Sequence, residues 1–533
     1  MRISTQQYFE TSSANYQSNY SSVVKAQDQA SSGVRVQTAS DDPVAAARLL
    51  MLQQQKDMLV QFNGNIDTLK NSLNTEDSVL ENINVAVQKA SELALKAGNV
   101  GISDADRKSI AAEIGSIEDQ VLGLLNTKDA SGNYLFSGSK TDTPPYSRNN
   151  DGTYTYQGDD TALNLKVAEN LSVSMGDTAK SMLEGSANTG QTQSARILVA
   201  PAVDDGKVTI SAGLIASATT NQKFADGQPY KVTFTSSTQY TVSDSAGKDI
   251  TSEIPGNGTF DSTKENASTI NVRGVKFEIG LSLGKDALGK DILPGAPADA
   301  IVKDREFSLS LKPDSFSVSR TPSNPSTAQL TGGQVTDAAA YASTFPHSGM
   351  VVKFGASGAY DVYAQPYSAS SKPIASDTLA AGSTSITVAG VTLGVSADPA
   401  DGDQFVVGAT SNKNENVLDT LSHLRKTLET PSDGNPAAQK ELKDVVARSI
   451  GNLTNAYGQI DQVRGSIGAR LNTLDIQVQE NTSIGLANTT TMNSLGNVDF
   501  AEAAINLSLQ QTMLQASQLA FVKISQLSLF NKM

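Results

Sequence analysis

From Leu52 onward, apolar residues return every seven positions: Leu52, Leu59, Ile66, Leu73, Leu80, Val87 and Ala94. Three positions beyond each stand Gln55, Phe62, Leu69, Glu76, Ile83, Ala90 and Ala97, a second track broken only at Gln55 and Glu76. This seam predicts one long helix starting at Pro43, whose fixed φ suits a first helical turn, with Asp41 or Asp42 as its cap. It reads either as a core helix of a bundle or as a coiled-coil arm, since sustained heptads impose a supercoil. A second helix is announced by Ser103 and Asp106, spaced as a capping box with Asp in place of Glu, and by Ile110, Ile114, Ile117, Val121 and Leu124. Val417, Leu421, Leu424 and Leu428 mark a short helix that Pro431 stops. After Pro436, Val446, Leu453, Ile460, Ile467 and Leu474 form another seam, flanked by Ile450, Tyr457, Leu471 and Val478. Each apolar stripe needs a partner, so segments 44–128 and 411–480 are expected to pack together and bring the chain ends side by side.

The extreme ends follow a different pattern. From Ile3 to Val24 the only charge is Glu10, and Phe9, Ser13, Tyr16, Tyr20, Val23, Gln27 and Ala30 keep a four-three spacing. Residues 503–531 carry one charge, Lys523. On a helical wheel Leu507, Leu514 and Phe521 form one stripe, and Leu509, Met513, Ala520, Ile524 and Leu527 form another, well round the helix. One pairwise contact does not bury both faces. Such a helix is a fully buried core element, an amphipathic membrane helix or an assembly surface. The missing basic face speaks against the membrane, and the charge depletion fits an interface core. Alone in solution, segments 1–42 and 490–533 are therefore expected to be poorly ordered and to fold on assembly.

All but three of the 17 prolines fall between Pro144 and Pro399. That middle is rich in Gly, Ser and Thr with short alternating apolar runs, which predicts strands. It also contains a degenerate repeat. Tyr230–Phe234 followed by Tyr240–Val242 matches Met350–Phe354 followed by Tyr360–Val362. Ile270–Phe277 matches Ile386–Leu393, and Asp304–Leu309 matches Gly402–Val407, in the same order. The pattern suggests two related β units, 200–315 and 340–409.

Composition narrows the chemistry. The 533 residues include 0 Cys and 2 His, and the net charge is −14. There is no thiol chemistry, no Cys-based metal site and no disulfide framework. The acidic balance argues against nucleic acid as a partner. His347 and His423 lie too far apart in sequence for a His-rich metal centre or a supportable Ser/His/Asp set. Gly284–Asp291 nearly matches a phosphate-binding loop, but Asp291 replaces the hydroxyl residue that would hold Mg²⁺. Asp398, Asp401 and Asp403 lack calcium-loop spacing. No cofactor, no metal and no enzyme activity are predicted. No apolar run reaches about 18 residues, so membrane insertion is not expected. The start lacks an apolar signal core. Charged residues are 18%, below the roughly 25% of ordinary soluble domains.

Several local motifs resemble the bacterial flagellin family. Ser31-Ser32-Gly33-Val34-Arg35-Val36 with Ala39-Ser40-Asp41-Asp42-Pro43 resembles its N-terminal signature. Gly132-Asn133-Tyr134-Leu135-Phe136-Ser137-Gly138 is similar to a hairpin of its hook–filament junction branch. Arg464–Asn472 and the tail Lys523–Phe530 resemble the C-terminal arm and end of the same branch. The resemblance covers about 1–165 and 411–533. It implies a secreted structural protein of the extracellular flagellum, exported unfolded with the help of an export chaperone. It further implies a homo-oligomeric ring at the hook–filament junction, meeting hook-associated protein 1 on one side and flagellin on the other. A flagellin filament subunit and a secreted adhesin with helical stalks are the alternatives.

The expected architecture is α+β and multidomain. Long N- and C-terminal helices pair as a coiled-coil or helical-bundle base, and a β-rich insert faces outward. Residues 1–42 with 490–533 form a terminal coiled-coil domain, 43–165 with 411–489 a helical arm with a β-hairpin, and 170–410 the insert. The predicted assembly residues are Phe9, Tyr16, Val23, Leu507, Leu509, Met513, Leu514, Phe521, Ile524 and Leu527. The predicted arm seam is Leu52, Leu59, Ile66, Leu73 and Leu80 with Val446, Leu453, Ile460, Ile467 and Leu474.

Overall fold

A computed structural model describes residues 5–530 apart from 100, 150–151, 199–203, 216, 262–267, 286–288, 347, 369, 381 and 411. Three helices open the chain: α1 (Thr5–Ser32), α2 (Pro43–Ala97) and α3 (Asp104–Leu125). Four short strands follow: β1 (Tyr146–Arg148), β2 (Tyr154–Tyr156), β3 (Asn164–Ala168) and β4 (Leu171–Ser174). The insert then runs β5 (Thr192–Ile197), β6 (Val208–Ile210), α4 (Ala218–Ala225), β7 (Tyr230–Ser236), β8 (Gln239–Ser243), β9 (Thr269–Val272), β10 (Val275–Leu281), α5 (Ala296–Val302) and β11 (Glu306–Leu311). It continues through β12 (Ser315–Arg320), β13 (Leu330–Val335), α6 (Ala338–Thr344), β14 (Met350–Phe354), β15 (Ala359–Ala364), β16 (Ala375–Thr378), β17 (Ser385–Val388), β18 (Val391–Val395) and β19 (Gln404–Thr410). Three helices close it: α7 (Val417–Glu429), α8 (Pro436–Gly496) and α9 (Phe500–Phe530). No described helix is long and apolar enough to cross a membrane.

The chain forms two compact units, residues 1–74 with 163–175 and 466–533, and residues 75–162 with 176–465. This division differs from the expected three-domain scheme. The unit with the termini reaches beyond 1–42 and 490–533, because the adjoining lengths of α2 and α8 continue as a pair and take up the β3–β4 hairpin. The arm expected over 43–165 and 411–489 is shared between both units.

In the first unit, Leu59, Ile66, Leu69 and Leu73 of α2 and Leu474 of α8 are buried, while Leu52 is half-buried. The seam here is partly polar. Asn488 donates to Gln55 at 3.2 Å, and Asn481 donates to Asn63 at 3.1 Å and to the Val167 carbonyl of β3 at 3.3 Å. Buried amides of this kind fix the register of a helix pair at some cost in stability. Lys70 and Asp475 add an ion pair at 2.6 Å.

In the second unit, Ile110, Ile114, Ile117, Val121 and Leu125 of α3 are buried, as are Val417, Leu418, Leu421, Leu424 and Leu428 of α7. Leu80 of α2 and Val446, Leu453 and Ile460 of α8 are buried in this unit, and Ile467 is buried in the first. Between α3 and α7 lies a buried carboxylate, Glu118. It accepts from Arg425 at 2.8 Å and from the Tyr154 hydroxyl at 2.6 Å, with Arg148 at 3.2 Å. Ser103 caps α3 through the Asp106 amide at 3.2 Å. Glu76, the second break in the α2 seam, accepts the Asp177 amide at 2.9 Å.

The insert contains two units of matching strand order. In the first, sheet β5-β11-β7-β8 shares a core with sheet β6-β10-β9. In the second, β12-β19-β14-β15, extended by β16, shares a core with β13-β18-β17. The residues paired by the repeat hold equivalent places. Phe234 and Phe354, Tyr240 and Tyr360, Ile270 and Ile386, and Phe307 and Phe405 are all buried. The hairpins β9–β10 and β17–β18 both turn on two residues with positive φ, Arg273-Gly274 and Ala389-Gly390, the geometry that matches strand twist. Helices α4 and α6 occupy the same topological position. The expected boundaries, 200–315 and 340–409, are too narrow. β5 precedes the first, and β12 and β13 precede the second, where they pair with β19 and β18.

The near phosphate loop contains an isolated bridge between Lys285 and Asp291, and its residues 286–288 lie outside the described residues. Asp403 is buried and accepts the amides of Ser326 at 3.2 Å and Ala400 at 2.8 Å, so it organises a turn.

Replacing Arg425 with Met removes one of the cations facing the buried Glu118. We expect a loss of about 3 kcal/mol, the scale of breaking one side of a buried pair, read from the denaturant midpoint. A loss below about 1 kcal/mol would mean that the pair behaves as a surface ion pair.

Candidate assembly interface

α1 and α9 pack along each other. Phe521 of α9 lies between Phe9 and Tyr16 of α1, with ring centroids 5.3 Å and 6.0 Å away. Asn19 donates to Ser517. Val23 is buried, and Leu507 and Leu514 are half-buried on the same side of α9 as Phe521. The opposite side of α9 is open: Ile505 is 69% exposed, Leu509 53%, Met513 48% and Leu519 67%. Six apolar or aromatic residues of the two helices thus meet, and the second apolar stripe on α9 is left uncovered by the described residues of its unit. No described side chain of α9 is fully buried.

The links into this pair are tightly built. Gly33 ends α1 with φ +70, the left-handed conformation that favours glycine at a helix C-terminus. Its carbonyl accepts the Val498 amide at 2.9 Å, and the Arg35 amide donates to the Gly496 carbonyl at 2.6 Å. The Arg35 guanidinium donates to the Leu495 carbonyl at 2.9 and 3.3 Å. It therefore satisfies the last carbonyls of α8 and places a cation at the negative end of that helix. Asp42 caps α2 through the Ala45 amide at 3.0 Å. Asp41 accepts the Thr38 and Gln37 amides at 2.8 and 3.1 Å and pairs with Lys25 of α1 at 2.5 Å. The Lys25 ammonium and the backbone amides hold the Asp41 carboxyl down at about 2. Asp42 is also lowered, first by the Ala45 amide and then by Arg35.

The stretch that contains α1 and this loop is similar to known proteins. Residues 3–141 match the family described as the bacterial flagellin N-terminal helical region. Flagellar hook-associated protein 3 of Salmonella typhimurium is 33% identical over 185 residues, 35% of this chain and 55% of its own. The protein of the same name from Escherichia coli is 36% identical over 147 residues, 28% of this chain and 46% of its own. The N-terminal region of the chain is thus similar to the bacterial flagellin N-terminal helical region.

The match spans about half the length of the curated relatives. The crystal structure of flagellar hook-associated protein 3 from Legionella pneumophila superposes with a TM-score of 0.47 at 19% identity, covering 84% of this chain and 98% of that one. The loop just described lies within the matched residues 3–141. Gly33, Arg35, Asp41 and Asp42 each have a structural task in it.

Among the predicted assembly residues, Phe9, Tyr16, Val23, Leu507, Leu514 and Phe521 come together between α1 and α9. Leu509 and Met513 stand on the open side. The side chains of Ile524 and Leu527 lie outside the described residues. Sequence reasoning missed Arg35 as the cap of α8. Its only signal was a cation two residues past a glycine, which does not reveal a partner 460 positions away.

Because the folded Asp41 pKa is depressed, its contribution is present above the ordinary value of 3.8 and is lost as pH falls through about 2. Over that window wild-type helicity should fall more steeply with pH than that of Asp41→Asn, as read by circular dichroism. Superimposable acid titrations would remove Asp41 from the account. A second expectation concerns the isolated monomer. Amides of α1 and α9 should exchange with solvent far faster than those of α3 and α7, because so little of α1 and α9 is buried. Equal protection in the two pairs would contradict it.

Proposed function

We propose that this chain is a structural subunit of the bacterial flagellum that acts at the hook–filament junction, as a hook-associated protein 3. It assembles as a homo-oligomeric ring, contacts hook-associated protein 1 on one side and receives flagellin on the other. It reaches that place by unfolded export, with a chaperone engaging its C-terminal segment, and it works outside the cell without catalysing a reaction.

The observation that carries this reading is the open stripe of α9. Burying a side chain such as Leu509 or Met513 is worth roughly 1.5–3 kcal/mol, and a neighbouring molecule would supply the wall that the described residues of its unit do not. A surface without charge suits the core of a protein interface, where an unpaired charge is costly to desolvate. The junction role is favoured over a filament subunit by the identities of 33% and 36% to hook-associated protein 3, against 30% to the flagellin of Bacillus subtilis.

Two experiments test it. A strain lacking this chain should release flagellin into the medium and carry hooks without filaments. Filaments of normal length on those cells, or a medium without any flagellin, would exclude the junction role. The double variant Leu509→Asp with Met513→Asp should leave the helical content of the monomer unchanged and abolish assembly, as seen by sedimentation and by electron microscopy of complemented cells. Phe521→Asp, by contrast, should also disrupt the α1–α9 pair. Rings built from the double variant would refute the open stripe as the assembly surface.

A further inference from the structure

A cavity of about 690 Å³ lies between the edge of the first β unit and the helices α7 and α8. That size falls within the range of small-molecule pockets. We propose that this cavity binds a small hydroxylated oxyanion, a carboxylate or phosphate of sugar size, through Arg448 and Lys312.

The argument begins with Arg448. Its side chain is only 20% exposed, and the nearest acid, Glu415, is 4.0 Å from its Nε. The Glu415 oxygens already receive the ring Nδ1 of His423 at 2.8 Å and the Asn452 amide at 2.9 Å. The guanidinium makes no hydrogen bond among the described residues. It is held by packing instead. A Cβ on Gly190 would lie 1.9 Å from Arg448 Cδ, so the bare glycine leaves the channel through which the stem passes. The result is a planar fork of donors, fixed in place and facing a cavity, which is the arrangement that takes a carboxylate or phosphate in two-point contact.

Lys312, just past β11, lines the same cavity, and its ammonium has no hydrogen-bond partner among the described residues. The cavity walls desolvate it and Arg448 repels it, and together these outweigh the attraction of Glu415 and pull its pKa below the ordinary value. A bound anion would relieve the second effect. The other charges on the walls largely cancel. Lys440 pairs with Asp444 at 2.9 Å, and Asp204 pairs with Arg196. Glu441 is exposed. Lys426 also lines the cavity, and His423 is tied to Glu415. Arg448 and Lys312 thus share one cavity in a chain whose net charge is −14. Gln193, Thr209 and Thr427 supply polar walls suited to hydroxyl groups.

The test is calorimetric binding to the full chain with three probes: glucuronate, inorganic phosphate and glucose. At about 10 mM ligand, the scale for weak sites, both anions or one of them should bind and glucose should not. Glucuronate binding alone assigns a carboxylate, and phosphate binding alone assigns a phosphate. Binding should weaken at least tenfold in Lys312→Met and in Arg448→Met, with an unchanged circular dichroism spectrum showing that each variant keeps the fold. Absence of binding by both anions, glucose binding as tight as theirs, or an unchanged affinity in Lys312→Met would overturn the proposal. None of these outcomes bears on assembly, so the junction role stands or falls separately.

Discussion

The constraint on which the rest depends is that the chain returns to where it left. At Gly33 and Arg35 the outgoing strand is bonded to Val498 and Gly496 of the returning one. At the β3–β4 hairpin the Met175 amide reaches the Leu163 carbonyl at 2.7 Å. At the base of the insert, Ala187 bridges Asn414 and the Asn188 amide reaches the Lys413 carbonyl at 2.8 Å. Each excursion is closed at its own neck, so each can fold as a local unit. The loop-closure entropy of a segment of hundreds of residues is then met by contacts at the neck itself, and it grows only slowly with length.

The necks are polar, and that choice has a physical reason. Two crossing strands and a helix terminus leave backbone donors and acceptors with no ladder to complete them. Arg35 answers this at the first neck. At the insert, Asn452 accepts the Thr189 amide at 2.7 Å while its own amide donates to Asn188 at 3.2 Å and Glu415 at 2.9 Å. Gly190 and Gly451 stand where a Cβ would collide with Arg448 and Thr189. Apolar stripes make the helices associate, and these amides and glycines decide where along the helices the crossings occur.

That division explains what the sequence made legible. The seams of α2 and α8, the faces of α3 and α7 and the two-sided pattern of α9 follow from periodicity, because burying one face of a regular element imposes a period. The breaks at Gln55 and Glu76 looked like defects. They mark Asn488 and the Asp177 amide, partners hundreds and about a hundred positions away along the chain. β13 was missed because its Gly332-Gly333 centre weakens the strand pattern. A Cβ at Gly333 would lie 2.6 Å from Val391 and 2.8 Å from Leu393, so close packing against β18 requires the absence that hides the strand. The β3–β4 hairpin fell in a stretch of ordinary polar residues. Its place is fixed by Asn65 and Asn481, which donate to the Lys166 and Val167 carbonyls and leave no local trace.

The low charge density therefore has two origins. In the insert it follows from strands built of Ser, Thr and Gly, which keep a polar surface without ionic groups. In α1 and α9 it leaves both sides of each helix free of groups that are costly to bury. A charge on the open side of α9 would leave the α1–α9 pair intact, so selection for monomer stability alone would not remove it. Its absence along Ile505, Leu509, Thr512, Ala516 and Leu519 is not demanded by the α1–α9 pair, and it is what the proposed assembly surface would need. On that reading the same segment that contributes least to the fold of the isolated chain carries the strictest composition.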